Sequence, residues 1–239
     1  MAARKRVSLP DLVENLEGRY GRAEYAQRLD PTSELVSCIL SQHTTDAISF
    51  PTFYRLREML PTWEEIVEVG EGRVAEIIKP AGLANQKART ILGCLKMIHQ
   101  RFGSYSLGEL DGLSDREAGK FLESMPGVGP KTSAIVLCFA FGRNVVPVDT
   151  HVYRVAVRLG IVPKEVSEAK AHPYLDARIP EGMAFRFHMA LIAHGRAVCK
   201  ARRPQCAECP LRDQCPSRKM FWGGRSFSEP APTQGPREP

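Results

Sequence analysis

The sequence MPGVGPKTSA, which starts at Met125, joins two stretches that have the apolar periodicity of α-helices. Gly127 and Gly129 permit a tight turn whose backbone amides remain uncovered, and Pro130 suits the first position of a helix. Uncovered amides at a helix N-terminus attract anions, so this turn could hold a phosphate. An ordinary turn between two helices is the simpler interpretation of the glycines alone. The sequence therefore predicts a helix-hairpin-helix over residues 114–141.

Two charged residues flank the apolar helix that follows this turn. Lys131 lies in its first helical turn, where the positive end of the helix dipole disfavours an ammonium and favours a nucleophilic amine. Asp149 precedes Thr150 at the start of the next helix. A solvated lysine and a capping aspartate are the plain alternatives, and for Asp149 the capping and catalytic roles do not exclude each other.

Four of the seven cysteines lie close together near the C-terminus, with the spacing C-x6-C-x2-C-x5-C. They are Cys199, Cys206, Cys209 and Cys215. An odd number of cysteines with this clustering predicts a metal site in a reduced compartment rather than disulfides. Zinc is the simpler alternative, although four-cysteine zinc sites usually draw on two C-x2-C pairs and this run has one. The other three cysteines, Cys38, Cys94 and Cys138, fall in apolar helical patterns and are predicted to be core residues.

The positive charge is concentrated in one part of the chain. The net charge is +6, and residues 196–219 contain seven basic and two acidic residues. This distribution suits a polyanionic partner such as nucleic acid. A hydrophobic content of 43% without a membrane-length apolar run predicts a soluble protein. The N-terminus has no pattern of a signal or transit peptide, which favours an intracellular location.

The remaining periodic segments also predict helices, so the expected fold is all-α. The expected helix starts include a cap at Thr32 and Ser33, a helix over residues 50–60, a cap at Asn85, and a capping box formed by Ser114 with Glu117. Residues 217–239 are rich in glycine, proline and serine and poor in core-forming residues, which predicts a disordered tail.

The hairpin and the cysteine spacing together resemble the endonuclease III family of base-excision DNA glycosylases. The family's hairpin signature and its following VDTH are matched by MPGVGPKTSA and by the VDTH that ends at position 151, and its iron-sulfur loop by the cysteine spacing. The resemblance covers roughly residues 9–215. It implies a six-helix domain over residues 24–143 and an iron-sulfur cluster domain over residues 144–216, with residues 1–23 packing against the latter.

The resemblance implies a bifunctional DNA glycosylase and AP lyase for oxidised or saturated pyrimidines in double-stranded DNA. Lys131 would attack the sugar C1′ of a flipped-out nucleotide, form a Schiff base and cleave the strand by β-elimination, with Asp149 assisting. The four clustered cysteines would hold one 4Fe-4S cluster. The protein would act as a monomer in the cytoplasm of a bacterial-type cell, associated with the nucleoid, without a membrane partner.

The resemblance also indicates which loops contact DNA. Leu83, in the loop GLANQKA, would push into the base stack. In the loop SQHTTD, the position that fills the vacated space falls on His43, with Gln42 just before it, so either side chain is a candidate. The other expected contacts are Gly127, Gly129, Thr132, Lys200, Arg202 and Arg203.

Two other functions remain open from the sequence. One is a mismatch or uracil glycosylase on the same scaffold, which would differ only in the base pocket. The other is a non-catalytic DNA-binding protein with a redox-sensing cluster. Lys131 and Asp149 together count against a pure binder, because binding requires neither residue.

Overall fold

The computed structural model describes residues 8–221, which form helices and connecting segments without any β-strand. The α-helices are α1 (Leu9–Tyr20), α2 (Pro31–Ser41), α3 (Asp46–Met59), α4 (Trp63–Glu68), α5 (Gly70–Ile77), α6 (Ala84–Phe102), α7 (Asp115–Glu123), α8 (Pro130–Ile135), α9 (Thr150–Arg158), α10 (Glu168–Asp176), α11 (Ala184–Ala197) and α12 (Arg218–Phe221). Short 3-10 turns cover Lys79–Ala81, Gly108–Gly112 and Cys206–Glu208, and a π turn over Val136–Ala140 continues α8. The all-α prediction is confirmed. Among the described helices, none combines the length and apolar composition that a bilayer crossing requires.

The buried apolar side chains form two separate cores. The first takes its residues from α2 to α8, between Leu35 and Leu137. The second combines three residues of α1 with residues from Cys138 to Leu211, and α1 packs directly on α11. Helix α1 therefore packs with helices from the C-terminal part of the described chain. The core prediction for Cys38, Cys94 and Cys138 is confirmed, since all three are buried.

Helix α6 is the long helix of the first core, with 19 residues. Its face with Ile91 and Leu95 is fully buried, and each such side chain stabilises the fold by about 1.5–3 kcal/mol. The hairpin between α7 and α8 lies against this helix, since a methyl group on Gly127 would be 2.9 Å from Thr90 Cγ2. Gly127 also has a positive φ of 69°, so both the close approach and the backbone require glycine there.

Two of the expected helix caps are wrong. The N-cap of α2 is Asp30, whose Oδ1 accepts the backbone N–H groups of Thr32 at 3.1 Å and Ser33 at 3.0 Å. A carboxylate is a stronger acceptor than a hydroxyl at the positive end of a helix, and Pro31 follows at the first helical position. Asn85 lies inside α6, because the chain enters this helix from Leu83 in a left-handed conformation with φ 48°.

The other two predicted starts had different outcomes. The capping box is confirmed, since Ser114 Oγ accepts the N–H of Glu117 at 3.3 Å and Glu117 Oε2 accepts the N–H of Ser114 at 3.1 Å. The helix expected over residues 50–60 begins earlier, at Asp46, and has Pro51 in its interior. Asp46 in the first turn complements the helix dipole and extends the helix toward the preceding polar loop.

The C-terminal end of the described chain is ordered further than predicted. Residues 217–221, assigned from composition to a disordered tail, instead carry the short helix α12. Ser217 is buried, and the Arg158 guanidinium lies 4.3 Å from the centre of the Phe221 ring. Phe221 supplies this contact with Arg158, and the overall composition of residues 217–239 does not reveal it. The rest of that prediction, residues 222–239, lies outside the described residues.

Candidate active site

The hairpin presents the N-terminus of α8 to solvent. Val128 is buried in the first core and anchors the turn, while Gly127, Gly129 and Pro130 around it are exposed. The first amides of a helix have no acceptor within the helix, and the N–H of Ser133 is the first to bond back, to Gly129 O at 3.0 Å. The turn can therefore offer backbone N–H groups to an anion.

The two predicted catalytic residues stand at the starts of neighbouring helices. Lys131 is exposed in the first turn of α8. Asp149 is the N-cap of α9, and its Oδ1 accepts the N–H of Val152 at 2.7 Å. The capping interpretation of Asp149 is thus correct, and the cap engages one of the two carboxylate oxygens. Thr132, an expected DNA contact, is only 8% exposed, so its backbone amide is better placed than its hydroxyl to meet a phosphate.

His188 on α11 contacts the segment that leads to Asp149. Its Nδ1 is 2.7 Å from Pro147 O, and since a carbonyl only accepts, Nδ1 carries the proton. Burial lowers the pKa of His188 to about 4, with smaller effects from Asp149, which raises it, and from Lys131, which lowers it. A neutral His188 therefore holds the segment that leads to Asp149.

Sequence reasoning did not identify His188, because its helix looks like an ordinary apolar core helix. The only available signal was a histidine within the mostly apolar run MAFRFHMALIAHG, which also contains Arg186 and His194. His151, two residues after Asp149, has a different neighbour: its Nδ1 lies 3.1 Å from Arg154 Nη2.

The two loops expected to open the duplex each present an exposed residue in a left-handed backbone conformation. Leu83 is 54% exposed although it is a large aliphatic residue, and its left-handed backbone directs the chain into α6. His43 is also exposed and left-handed, with φ 56°. Gln42 is less exposed, and its Nε2 donates a hydrogen bond to Gly127 O at 3.0 Å. The loop with Gln42 is therefore fastened to the hairpin, while the His43 side chain projects away from the fold.

The four clustered cysteines line one common cavity near the surface. Donor groups point at their sulfurs: Arg158 Nη1 lies 3.3 Å from Cys199 Sγ, and the backbone amide of Leu211 bonds to Cys209. Burial nevertheless raises the pKa of Cys209 to about 11. Half-buried thiols of this kind ionise when they bind a cationic centre. Four thiols that line one cavity, with N–H donors to two of the sulfurs, have the chemistry that an iron-sulfur cluster requires.

Two arginines of α9 tie the cysteine loop to the helix that Asp149 caps. Arg154 Nε donates to Cys199 O at 2.9 Å, and Arg154 Nη2 donates to Gly195 O at 2.9 Å. Arg158 donates to Lys200 O at 2.8 Å and to Ala201 O at 3.1 Å. The predicted phosphate contacts on this loop, Lys200, Arg202 and Arg203, are all exposed. The positive loop and the start of α9 therefore form one connected unit.

Two protein-family models match this chain, one over most of the helices and one over the cysteine loop. Residues 36–180 match the family model described as HhH-GPD superfamily base excision DNA repair protein, and residues 199–215 match the iron-sulfur binding domain of endonuclease III. The second match starts at the first clustered cysteine and ends at the fourth.

Individual relatives agree with the family models. Endonuclease III of Rickettsia felis is 36% identical over 181 residues, which cover 76% of this chain and 80% of the relative. A putative DNA glycosylase of Arabidopsis thaliana is 34% identical over 186 residues, 76% of this chain but 63% of that longer protein. A solved non-covalent complex of endonuclease III with DNA superposes with a TM-score of 0.77 at 28% identity, covering 92% of this chain and 98% of the other.

Proposed function

The chain belongs to the HhH-GPD superfamily of base excision DNA repair proteins and carries the iron-sulfur domain of endonuclease III, and from this premise we propose that Lys131 and Asp149 form its catalytic pair. It is a DNA glycosylase and AP lyase that acts on damaged duplex DNA. It contains a 4Fe-4S cluster, whose ligands we assign to the four cysteines within residues 199–215. The proposed substrates are oxidised or saturated pyrimidines and abasic sites.

In the proposed reaction, Lys131 is the nucleophile. As a free amine, its Nζ attacks the sugar C1′ of a flipped-out nucleotide, and the bond between C1′ and the base breaks as the base leaves with a proton. The sugar ring then opens to give a Schiff base between Nζ and C1′. Loss of a proton from C2′ and of the 3′ phosphate from C3′ cleaves the strand, and water releases the lysine.

Asp149 has two duties in this proposal. Its carboxylate accepts the proton that the Lys131 ammonium must lose, and it stabilises the positive charge that develops on the sugar. It also keeps its position as the N-cap of α9 through Oδ1. A cap fixes the carboxylate before substrate arrives, so little reorganisation is needed during the reaction.

The observation that carries the proposal is that Lys131 and Asp149 stand at the starts of neighbouring helices, and that the Asp149 cap engages only one of its two carboxylate oxygens. Lys131 is exposed at the open end of the hairpin, where amides for a neighbouring phosphate are also available. A pure DNA-binding protein would have no use for this pairing.

Borohydride trapping tests the covalent step. Wild-type protein incubated with an abasic-site duplex and sodium borohydride is expected to give a protein-DNA adduct, because hydride reduces the Schiff base to a stable amine. Parallel incubations without borohydride, on duplexes with different pyrimidine lesions, measure base release and incision. If the protein shifts these duplexes in a gel without nicking them or forming an adduct, the lyase proposal is wrong.

We further propose that His43, rather than Gln42, fills the space left by the flipped nucleotide. His43 is exposed, whereas the Gln42 amide is held by Gly127 O at 3.0 Å. His43→Ala is therefore expected to slow base release from duplex DNA by about tenfold, because extrusion costs a few kcal/mol and part of that cost is no longer offset. Gln42→Ala is the comparison, and a larger loss from Gln42→Ala would reverse the assignment.

The remaining proposals concern organisation and location. Residues 24–143 and 144–216 are proposed as the two domains, with the damaged nucleotide bound between them. We propose a monomer that works in the cytoplasm at the nucleoid. The exposed basic residues of the cysteine loop support binding to the DNA backbone, because Lys and Arg side chains neutralise phosphates without reading sequence.

A further inference from the structure

Lys87 is a buried lysine whose ammonium is held by backbone carbonyls. Its residue is only 2% exposed, and its Nζ donates to Leu40 O at 2.7 Å and to Ala81 O at 2.8 Å. Burying an ammonium is unfavourable unless strong acceptors surround it. A lysine in this position therefore needs a reason beyond filling the core, which an aliphatic side chain would do better.

The two acceptors are the ends of the segments that lead into the DNA-probing loops. Leu40 lies in the last turn of α2, directly before the loop of residues 42–45 that contains His43. Ala81 ends the 3-10 turn that precedes Leu83. Carbonyls at helix ends lack intrahelical donors and form the negative end of the helix dipole. The Lys87 ammonium satisfies one such carbonyl from each segment and so connects the two.

The main chain of Lys87 adds a third connection. Its backbone N–H donates to Leu83 O at 2.9 Å, which forms the first turn of α6 directly after the left-handed Leu83. Leu83 is thereby held from both sides, through its own carbonyl and through Ala81. The carbonyl oxygens of residues 40, 81 and 83 therefore all accept hydrogen bonds from Lys87, two from its ammonium and one from its backbone N–H.

The hairpin is attached to the same assembly. Gln42 Nε2 bonds to Gly127 O at 3.0 Å, and Gly127 lies against Thr90, less than one helical turn beyond Lys87 in α6. The wedge loop (residues 79–83), the plug loop (residues 42–45) and the hairpin are therefore mounted on one helix. Rigid mounting matters because a displacement of about 1 Å in a catalytic arrangement costs on the order of 100-fold in rate.

We propose that Lys87 is a positioning residue that sets the separation of the wedge loop and the plug loop, so that both enter the DNA together when the damaged nucleotide is extruded. The inference rests on the proposed function, since it assumes that these loops open the duplex. Lys87 itself touches no DNA in this arrangement. Its role is to couple the two loops, so that Leu83 enters the base stack only when the plug loop enters as well.

Lys87→Met tests the proposal with two substrates that differ in their need for extrusion. Single-turnover base release from a lesion in duplex DNA is expected to fall by roughly 100-fold. Cleavage at an abasic site in single-stranded DNA, which has no stack to open, is expected to change by less than about twofold. Lys96→Met is the matched control, because it removes an exposed lysine from the same helix and should alter neither rate.

A double-mutant cycle with Leu83→Ala separates positioning from a general loss of stability. If Lys87 acts through Leu83, the two substitutions are expected to be strongly non-additive on the duplex substrate. Additive effects, or equal losses on duplex and single-stranded substrates, would overturn the proposal. If Lys87→Met does not fold, Lys87→Gln, which keeps a shorter neutral donor, is measured by the same criteria. Failure of wild-type protein to act on either substrate would instead count against the proposed function.

Discussion

Replacing Lys131 by glutamine is expected to lower base release from lesion-containing duplex DNA by at least about 10⁴-fold and to abolish strand cleavage. A side-chain amide has no nucleophilic lone pair of comparable strength, so neither the attack on C1′ nor the Schiff base can form. Binding to a duplex with an abasic site should remain within a few fold of wild type, because the hairpin contacts use backbone amides. Single-turnover kinetics, gel shifts and borohydride trapping measure the three quantities.

Two further variants sharpen this prediction. Lys170→Gln makes the same chemical change at an exposed lysine of α10 and should leave rate and trapping unchanged. Asp149→Asn preserves an N-cap side chain, so the melting temperature should hold while the rate falls on the order of 100-fold or more. A Lys131→Gln protein that still gave a borohydride adduct would show that another amine is the nucleophile.

Removal of one of the proposed cluster ligands is expected to have the second large effect. Cys209→Ala is expected to abolish iron binding and to destabilise the C-terminal loop, because the loop depends on its metal centre and has few buried apolar residues of its own. Loss of a structural metal group costs several kcal/mol, and each kcal/mol lowers the melting temperature of a chain this size by about 2–4 °C. The melting temperature should therefore fall by roughly 10 °C or more.

The same variant should weaken DNA binding by more than about tenfold. The basic residues Lys200, Arg202 and Arg203 are held in place by the loop, and the carbonyls around Cys199 are the acceptors for Arg154 and Arg158. Phosphate contacts from a disordered loop carry an added entropic cost. Cys94→Ala is the control, since it removes a buried thiol from the first core and should retain iron and DNA binding. Normal iron content in Cys209→Ala would refute the ligand assignment.

Features encoded in short contiguous stretches could be predicted well. The hairpin glycines, the capping box at Ser114 and the cap at Asp149 each depend on residues within about four positions of one another. The cysteine loop falls in the same category, because the spacing of its thiols already limits how they can converge. In these cases local backbone geometry determines the local structure, and tertiary packing only has to be compatible with it.

Features that depend on partners distant in sequence could not be predicted. Leu83 displaces Asn85 as the start of α6 because Lys87 and the preceding 3-10 turn hold the chain there. His188 has its neutral state only because Pro147 O and a dry interior surround it. Phe221 orders the end of the described chain through Arg158, which is more than 60 positions away in sequence.

The sequence by itself determined the helical class, the hairpin with its lysine and the cysteine loop, because each follows from local periodicity or spacing. Tertiary structure alone decided three other matters: that His188 holds the segment leading to Asp149, that the wedge and plug loops share Lys87, and that the cysteine loop is tied to α9. The physical reason is the same for all three. Burial and electrostatic range depend on distances between residues far apart in the chain, and only the packing of the two cores sets those distances.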